Sequence, residues 1–180
     1  MKGCYILVIE APESQEIAIG KLGVRSFPQG YYAYVGSAQN GFKTRIGHHL
    51  RDEKRAHWHI DYLLEQAHIE EILLYQTEDR IECALARALS EELSSVPGFG
   101  SSDCKCSSHL FFETDRDKLQ QAIQRAAGMP TLRIPPDSPI LTPDSCQSRS
   151  QDLPLLLDPG EARRSLNPFE ASAILRQKGE

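Results

Sequence analysis

Proline divides this chain. Eight of its 11 prolines fall at or after Pro130, in less than a third of the 180 residues. Proline removes a backbone donor, blocks helix interiors and drives the preceding residue out of helical conformation. The run from Pro130 through Pro143 has neither helical nor alternating apolar periodicity. Such a segment buries too little apolar surface to offset the entropy of ordering it. Residues 129–180 therefore read as a Pro/Ser-rich tail, extended or disordered. Within it, Leu153 to Leu157 and Phe169 to Leu175 are apolar enough to dock or form a short helix. The folded domain is expected in residues 1–128, with no internal repeat.

Within that domain strand and helix patterns are mixed. Tyr5 to Glu10, Ile17 to Val24 and Gly30 to Gly36 read as strands, rich in β-branched and aromatic residues. Three strands this close in sequence predict an antiparallel meander. Asn40-Gly41 marks a turn, after which Phe42, Ile46 and Leu50 fall at helical spacing in a segment expected to run to Arg55. A second helix is expected around Trp58 to Leu64, a strand over Ile69 to Leu74, and a helix starting near Thr77, with Thr77 as its N-cap. His109 to Glu113 reads as a final strand. Asp115 opens a last helix that Gly128 stops. The class is α+β: a small, mostly antiparallel sheet flanked by helices.

Composition narrows the function. No apolar run approaches the roughly 18 residues of a membrane span, and the first run closes at Glu10 with no small-residue cleavage site. A cytoplasmic chain with no membrane partner is expected. The net charge of −5 excludes a globally basic nucleic-acid binder, so any such surface must be local. Residues 41–58 supply one: Lys43, Arg45, Arg51, Lys54 and Arg55 face only Asp52 and Glu53. His48 and His49 add imidazoles. Arginine suits phosphate because its planar fork donates two parallel hydrogen bonds.

Other residues carry chemistry of their own. Tyr5 and Tyr34 can sit on adjacent strands with both hydroxyls at one sheet face, although tyrosines also simply fill sheets. Glu82 is a lone carboxylate in an apolar helical run, suited to a cation that keeps most of its waters. His57 or His59 can approach a phosphate, with Asp61 orienting an imidazole. Cys104, Cys106 and His109 offer three ligands for structural zinc; Cys83, His57, His59 or Asp103 would be the fourth. A tight loop with buried thiols is the other reading. Five cysteines and no export signal argue against a disulfide framework.

Taken in order, Gly3-Cys4-Tyr5, Tyr34-Val35-Gly36, Arg45, His49 and Glu82 resemble the motifs of GIY-YIG nucleases. The spacings from Tyr34 to Arg45 and to Glu82 are similar to those in the excinuclease member of that superfamily. The blocks Gly30 to Ala38, His57 to Leu64 and Gly98 to Leu110 resemble a narrower group, the DUF123 or Uri-like branch. The resemblance covers residues 1–115. It implies a three-stranded antiparallel core, here with an extra strand in the 29-residue gap between Tyr5 and Tyr34. It also implies divalent-metal-dependent hydrolysis of phosphodiester bonds by an endonuclease, with DNA as the expected substrate and the choice between DNA and RNA left open. Branched or damaged DNA and a DNA-repair partner protein belong to the same expectation. One Mg²⁺ or Mn²⁺ at Glu82 would contact the phosphate, and Arg45 would stabilise its charge. Tyr34 or Tyr5 would orient or deprotonate the attacking water, with His49 assisting. On intrinsic pKa, near 6.5 against 10, His49 is the better proton acceptor, and both stay open. Lys43, His48, Arg51, Lys54, Arg55, His57 and His59 would bind nucleic acid. Two departures stand out. Ser37 replaces a lysine, and no asparagine follows Glu82 before His109, where Ser101, Ser102 or Asp103 would have to serve. Two other readings fit the same residues: a nucleic-acid-binding module with a degraded active site, and an adaptor domain whose tail serves a partner.

Overall fold

The computed structural model describes residues 1–51, 53–128 and 131–138. The chain runs β1 (Gly3–Ala11), β2 (Gln15–Ile19), β3 (Gly23–Phe27), β4 (Gly30–Ala38), α1 (Phe42–His49), α2 (His59–Leu63), β5 (His68–Gln76), α3 (Glu82–Ser90), β6 (Ser94–Ser95), β7 (Leu110–Glu113), α4 (Arg116–Ala127) and β8 (Leu132–Ile134). Six strands form one antiparallel sheet in the order β6-β7-β4-β1-β5-β8. The class is α+β, as the sequence predicts.

The first strand sets the architecture. A strand points alternate side chains to opposite faces. Along β1, Tyr5, Leu7 and Ile9 enter one core, and Cys4, Ile6 and Val8 enter a second, all of them buried. A strand apolar on both faces needs a layer on each. Phe42 and Ile46 of α1, and Ile60 and Leu63 of α2, cover the first face. Leu85 and Leu89 of α3, and Leu119 and Ile123 of α4, cover the second. β1 lies between β4 and β5, so Tyr5 and Tyr34 are carried on adjacent strands.

Several expectations are corrected. The segment Ile17 to Val24 is not a strand of the main sheet. It spans β2, a short 3₁₀ turn and the start of β3, which form a separate two-stranded ribbon. β1 therefore pairs directly with β4, and there is no meander. The buried Ile19 and Phe27 tie the ribbon to the first core. α1 ends at His49 and does not reach Arg55. After Leu50 no apolar residue recurs until Ala56 and Trp58, so further turns would have no stripe to bury. The Lys54 ammonium instead donates to the His49 carbonyl at the helix end. α3 begins at Glu82, five residues after the expected N-cap. Thr77 is still tied to the residue before β1 through its N–H to the Lys2 carbonyl, and its hydroxyl accepts from the Asp79 N–H in a turn. Asp115 and Gly128 cap α4 as predicted. Past Gly128, Leu132–Ile134 adds a strand beside β5; Cys146, Leu153 to Leu157 and Phe169 to Leu175 lie outside the described residues.

Register creates one tight approach. Tyr5 stands opposite Gly36, and its phenol leans across the space a side chain would occupy. A Cβ on Gly36 would lie 2.2 Å from Tyr5 Cζ and 2.3 Å from its hydroxyl. Gly36→Ala is therefore expected to lower stability by about 1–3 kcal/mol through overpacking. Val24→Ala, at an exposed position, is expected to change it by less than about 0.5 kcal/mol. Urea unfolding of the two variants beside wild type checks this; a Gly36→Ala midpoint equal to wild type contradicts the packing.

Candidate functional site

The site forms where the sheet stops. β7 pairs with β4 only from Tyr31 to Tyr34. Beyond that point Gly36 and Ser37 border a cavity of about 470 Å³. Because β4 has no β7 partner there, residues from both faces of the sheet meet around its edge. Tyr34, Arg45, His57 and His59 come from one side and Arg80 and Glu82 from the other. The residues after β6 form the remaining wall with Gly100, Ser102 and Asp103. Ser102 and Asp103, two of the candidates for the missing asparagine, thus border the same space as Glu82. Ser101 is buried nearby in sequence but does not line it.

Behind the cavity lies a buried polar chain. Asp61 of α2 is fully buried. Its carboxylate accepts hydrogen bonds from His48 Nε2 (3.1 Å), His49 Nδ1 (3.4 Å) and the backbone N–H groups of His57 and Trp58 (both 3.0 Å). The Asp61–imidazole contact predicted by the sequence therefore exists, but its rings are His48 and His49, whereas His57 meets Asp61 only through its backbone. His49 Nδ1 carries the hydrogen facing Asp61, so in a neutral ring Nε2 accepts the Tyr5 O–H at 2.8 Å. Arg45 Nε approaches the same hydroxyl at 3.4 Å, and its guanidinium lies 3.6 Å over the Trp58 ring centre. Tyr34 packs on Tyr5 and edge-on against His49.

The environment sets the protonation. Burial pushes the Tyr5 phenol well above its ordinary value, and Tyr34 up to about 12 against the pull of Arg45. Neither is a phenolate at neutral pH. Burial lowers the His49 pKa despite the Asp61 hydrogen bond. For Asp61, burial acts upward, but hydrogen bonds from His49, Trp58, His57 and His48 hold the carboxyl well below the carboxylate range. His49, only 2% exposed, does not line the cavity. Its ring packs edge-on against Tyr34 and Trp58, which do line it, and Tyr5, hydrogen-bonded to His49 Nε2, is itself fully buried and does not line it.

Glu82 opens α3 and lines the cavity. Its Oε2 is shielded from solvent and has no hydrogen-bond partner. An unsatisfied buried carboxylate oxygen is a costly arrangement that calls for a cation or a donor.

The other predicted basic residues divide between two places. His57 and His59 line the cavity with Arg45. His59 Nδ1 accepts the Gly100 N–H at 3.1 Å, which leaves Nε2 as the donor. Arg51, Lys54 and Arg55 line a second, larger cavity of about 910 Å³ together with Glu53 and Glu65. Lys43 is exposed on α1, and His48 is committed to Asp61. Arg80 and the Trp58 platform under Arg45 are not legible as site residues in the sequence. Arg80 sits outside the basic stretch, and Trp58 reads equally well as core.

A cluster of thiols and an imidazole adjoins Glu82, and three of its members, Cys83, Cys104 and His109, line the same cavity. The ligand atoms of Cys83, Cys104, Cys106 and His109 all lie within 4.8 Å of one another, so the group could hold a metal ion. Cys83 is the fourth member; His57, His59 and Asp103 lie outside it.

No helix among the described residues is long and apolar enough to cross a membrane. A family model described as "Domain of unknown function DUF123" matches residues 4–130. The chain belongs to that family. No curated protein and no solved structure matches it significantly.

The buried chain predicts acid sensitivity. The fold holds His49 neutral, while the unfolded chain protonates it near pH 6.5. Below that pH the unfolded state binds more protons, so stability falls as pH falls. The depressed Asp61 carboxyl adds a second loss beginning below about pH 4. Denaturant unfolding between pH 7 and 5 is expected to show a shallower decline in His49→Gln than in wild type. Identical slopes contradict a neutral buried His49.

Proposed function

We propose that this DUF123 protein is a divalent-metal-dependent endonuclease of the GIY-YIG type, hydrolysing phosphodiester bonds in DNA. One observation carries the reading. Tyr34, Arg45 and Glu82, whose Oε2 has no hydrogen-bond partner, are far apart in sequence and border one cavity. The motif order of the chain and the antiparallel β4–β1–β5 core add support.

Glu82 fits a hard cation. Mg²⁺ and Mn²⁺ take oxygen ligands, and Mg²⁺ commonly keeps several waters beside one or two carboxylates and a substrate phosphate. When bound, such an ion supplies charge stabilisation at the phosphate and the leaving oxygen. The protein residues do the rest. The Arg45 guanidinium, held over the Trp58 ring, donates to a phosphate oxygen as its negative charge grows. Arg80 and the His59 Nε2–H line the same cavity as further donors. Water adds to phosphorus, the bond to the leaving oxygen breaks, and the water must lose a proton. Tyr34, protonated at rest, orients that water. Neutral His49 is the available base, and Tyr5 is the hydroxyl through which a proton reaches it. Asp61 keeps His49 in the accepting tautomer and stabilises the imidazolium that forms. Arg51, Lys54, Arg55 and Lys43 extend positive charge along α1 and the segment after it, where duplex phosphates can be held.

The test is a cleavage time course with labelled single-stranded, duplex and branched DNA, and with RNA, in Mg²⁺, Mn²⁺ or chelator. Wild type is expected to cut only with metal. Glu82→Gln and Arg45→Ala are each expected to lose at least about 100-fold in rate with unchanged circular dichroism. Absence of cleavage by wild type under every condition contradicts the enzyme. Steeply salt-dependent DNA binding without cleavage would instead favour a binding module.

A further inference from the structure

We propose that Cys83, Cys104, Cys106 and His109 form a closed structural zinc site, and that this site braces the wall of the cavity beside Glu82. The proposal does not depend on the nuclease reading, because it concerns a different set of ligands with a different chemistry.

The four ligand atoms stand close enough together for one ion to reach them all. With zinc–sulfur bonds near 2.3 Å, neighbouring ligands of a tetrahedral ion stand roughly 3.8 Å apart. Here the four ligand atoms lie within 4.8 Å of one another, and Cys104 Sγ is 3.4 Å from His109 Nε2. The donor set selects the metal. Three thiolates and an imidazole suit zinc, and the absence of any carboxylate in the set disfavours Mg²⁺ and Ca²⁺. All four positions are filled by protein, as in structural sites; catalytic zinc keeps one open.

The surrounding contacts prepare the ligands. His109 Nδ1 lies 3.2 Å from the Val35 carbonyl and donates to it. This fixes the ring and leaves Nε2, the atom facing Cys104, free to ligate. Cys83 comes from the first turn of α3, and the other three come from the segment before β7. That segment is pinned at its base by Gly98 N–H to the Ser107 carbonyl and His109 N–H to the Phe99 carbonyl. Between these ties the one backbone hydrogen bond, among those outside regular elements, runs from the Cys104 N–H to Ser101 at 3.4 Å. The loop's other ties come from side chains, with Gly100 N–H on His59 Nδ1 and the Cys106 thiol against the Cys83 carbonyl, so the loop already brings its ligands to α3.

The consequence reaches the candidate site. Cys83 follows Glu82 directly, Gly100 holds His59, and His109 holds β4 at Val35, next to Tyr34. One ion would therefore fix α3, the loop and β4 against each other at the point where the cavity opens. It would orient the Glu82 carboxylate without touching it.

The full chain, purified without chelator, is expected to carry about one zinc per chain by elemental analysis. Replacing zinc by Co²⁺ should produce thiolate-to-metal charge transfer and the visible bands of a tetrahedral ion. Cys83→Ser and Cys106→Ser should lose the zinc, and Cys4→Ala, outside the cluster, should keep it. Because a cluster variant can fail to fold, titration of wild type with a mercurial reagent provides a second readout, with zinc released in step with thiol capture. Folded wild type with no zinc above buffer background and no Co²⁺ charge-transfer band overturns the proposal. So does a disulfide joining Cys83 to Cys106 in the purified protein. Zinc content is read without substrate, so a failure here leaves the Glu82 reading standing, and the reverse also holds.

Discussion

The Asp61 carboxylate is the interaction on which the site depends. A buried charge is tolerated only when its oxygens are fully engaged. Asp61 accepts from two imidazoles and two backbone N–H groups. Those four donors belong to α1 and to the start of α2, so the carboxylate locks the two together. Everything in front of it inherits that position. His49 is turned toward Tyr5, Trp58 is placed under Arg45, and Arg45 is thereby held at the cavity. Removing one partner of such a buried set typically costs about 3–5 kcal/mol, which makes the arrangement rigid.

The second determinant is the short reach of β7. Had β7 paired along the whole of β4, the two sheet faces would be sealed from each other. Its pairing ends at Tyr34, and past that point the Arg45 of one layer and the Glu82 of the other share a cavity. Gly36 completes the opening. Without a side chain it lets the Tyr5 phenol pass beneath β4 to reach His49 and Arg45.

Much of this is legible in the sequence, for physical reasons. The short continuous apolar run of β1 and the spacing of Phe42 and Ile46 specify a strand and a helix because local pattern and burial agree. Asp115 and Gly128 mark α4 because caps have strong residue preferences. Tyr5, Tyr34, Arg45 and Glu82 stand out only through the order of motifs that resembles the GIY-YIG nucleases, since each residue alone reads equally as sheet filling or solvated surface. What is hidden depends on packing between distant elements. Nothing local says that Asp61 meets His48 and His49 and leaves the side chains of His57 and His59 to others. Arg80 has no neighbours in sequence that mark it. Cys83 is one of four equal candidates until α3 is placed beside the loop of Cys104 and Cys106. The ribbon is hidden because Ile17 to Val24 alternates like one strand, while Gly20 and Gly23, both at positive φ, turn the chain in its middle.

The proposed hard-cation site rests on a carboxylate oxygen that has no other partner. The most direct test is Mn²⁺ uptake followed by electron paramagnetic resonance, with zinc-loaded full chain and a short DNA duplex present. One bound Mn²⁺ per chain is expected in wild type, with loss of that binding in Glu82→Gln. Equal uptake by both proteins, or none by wild type, would contradict the site.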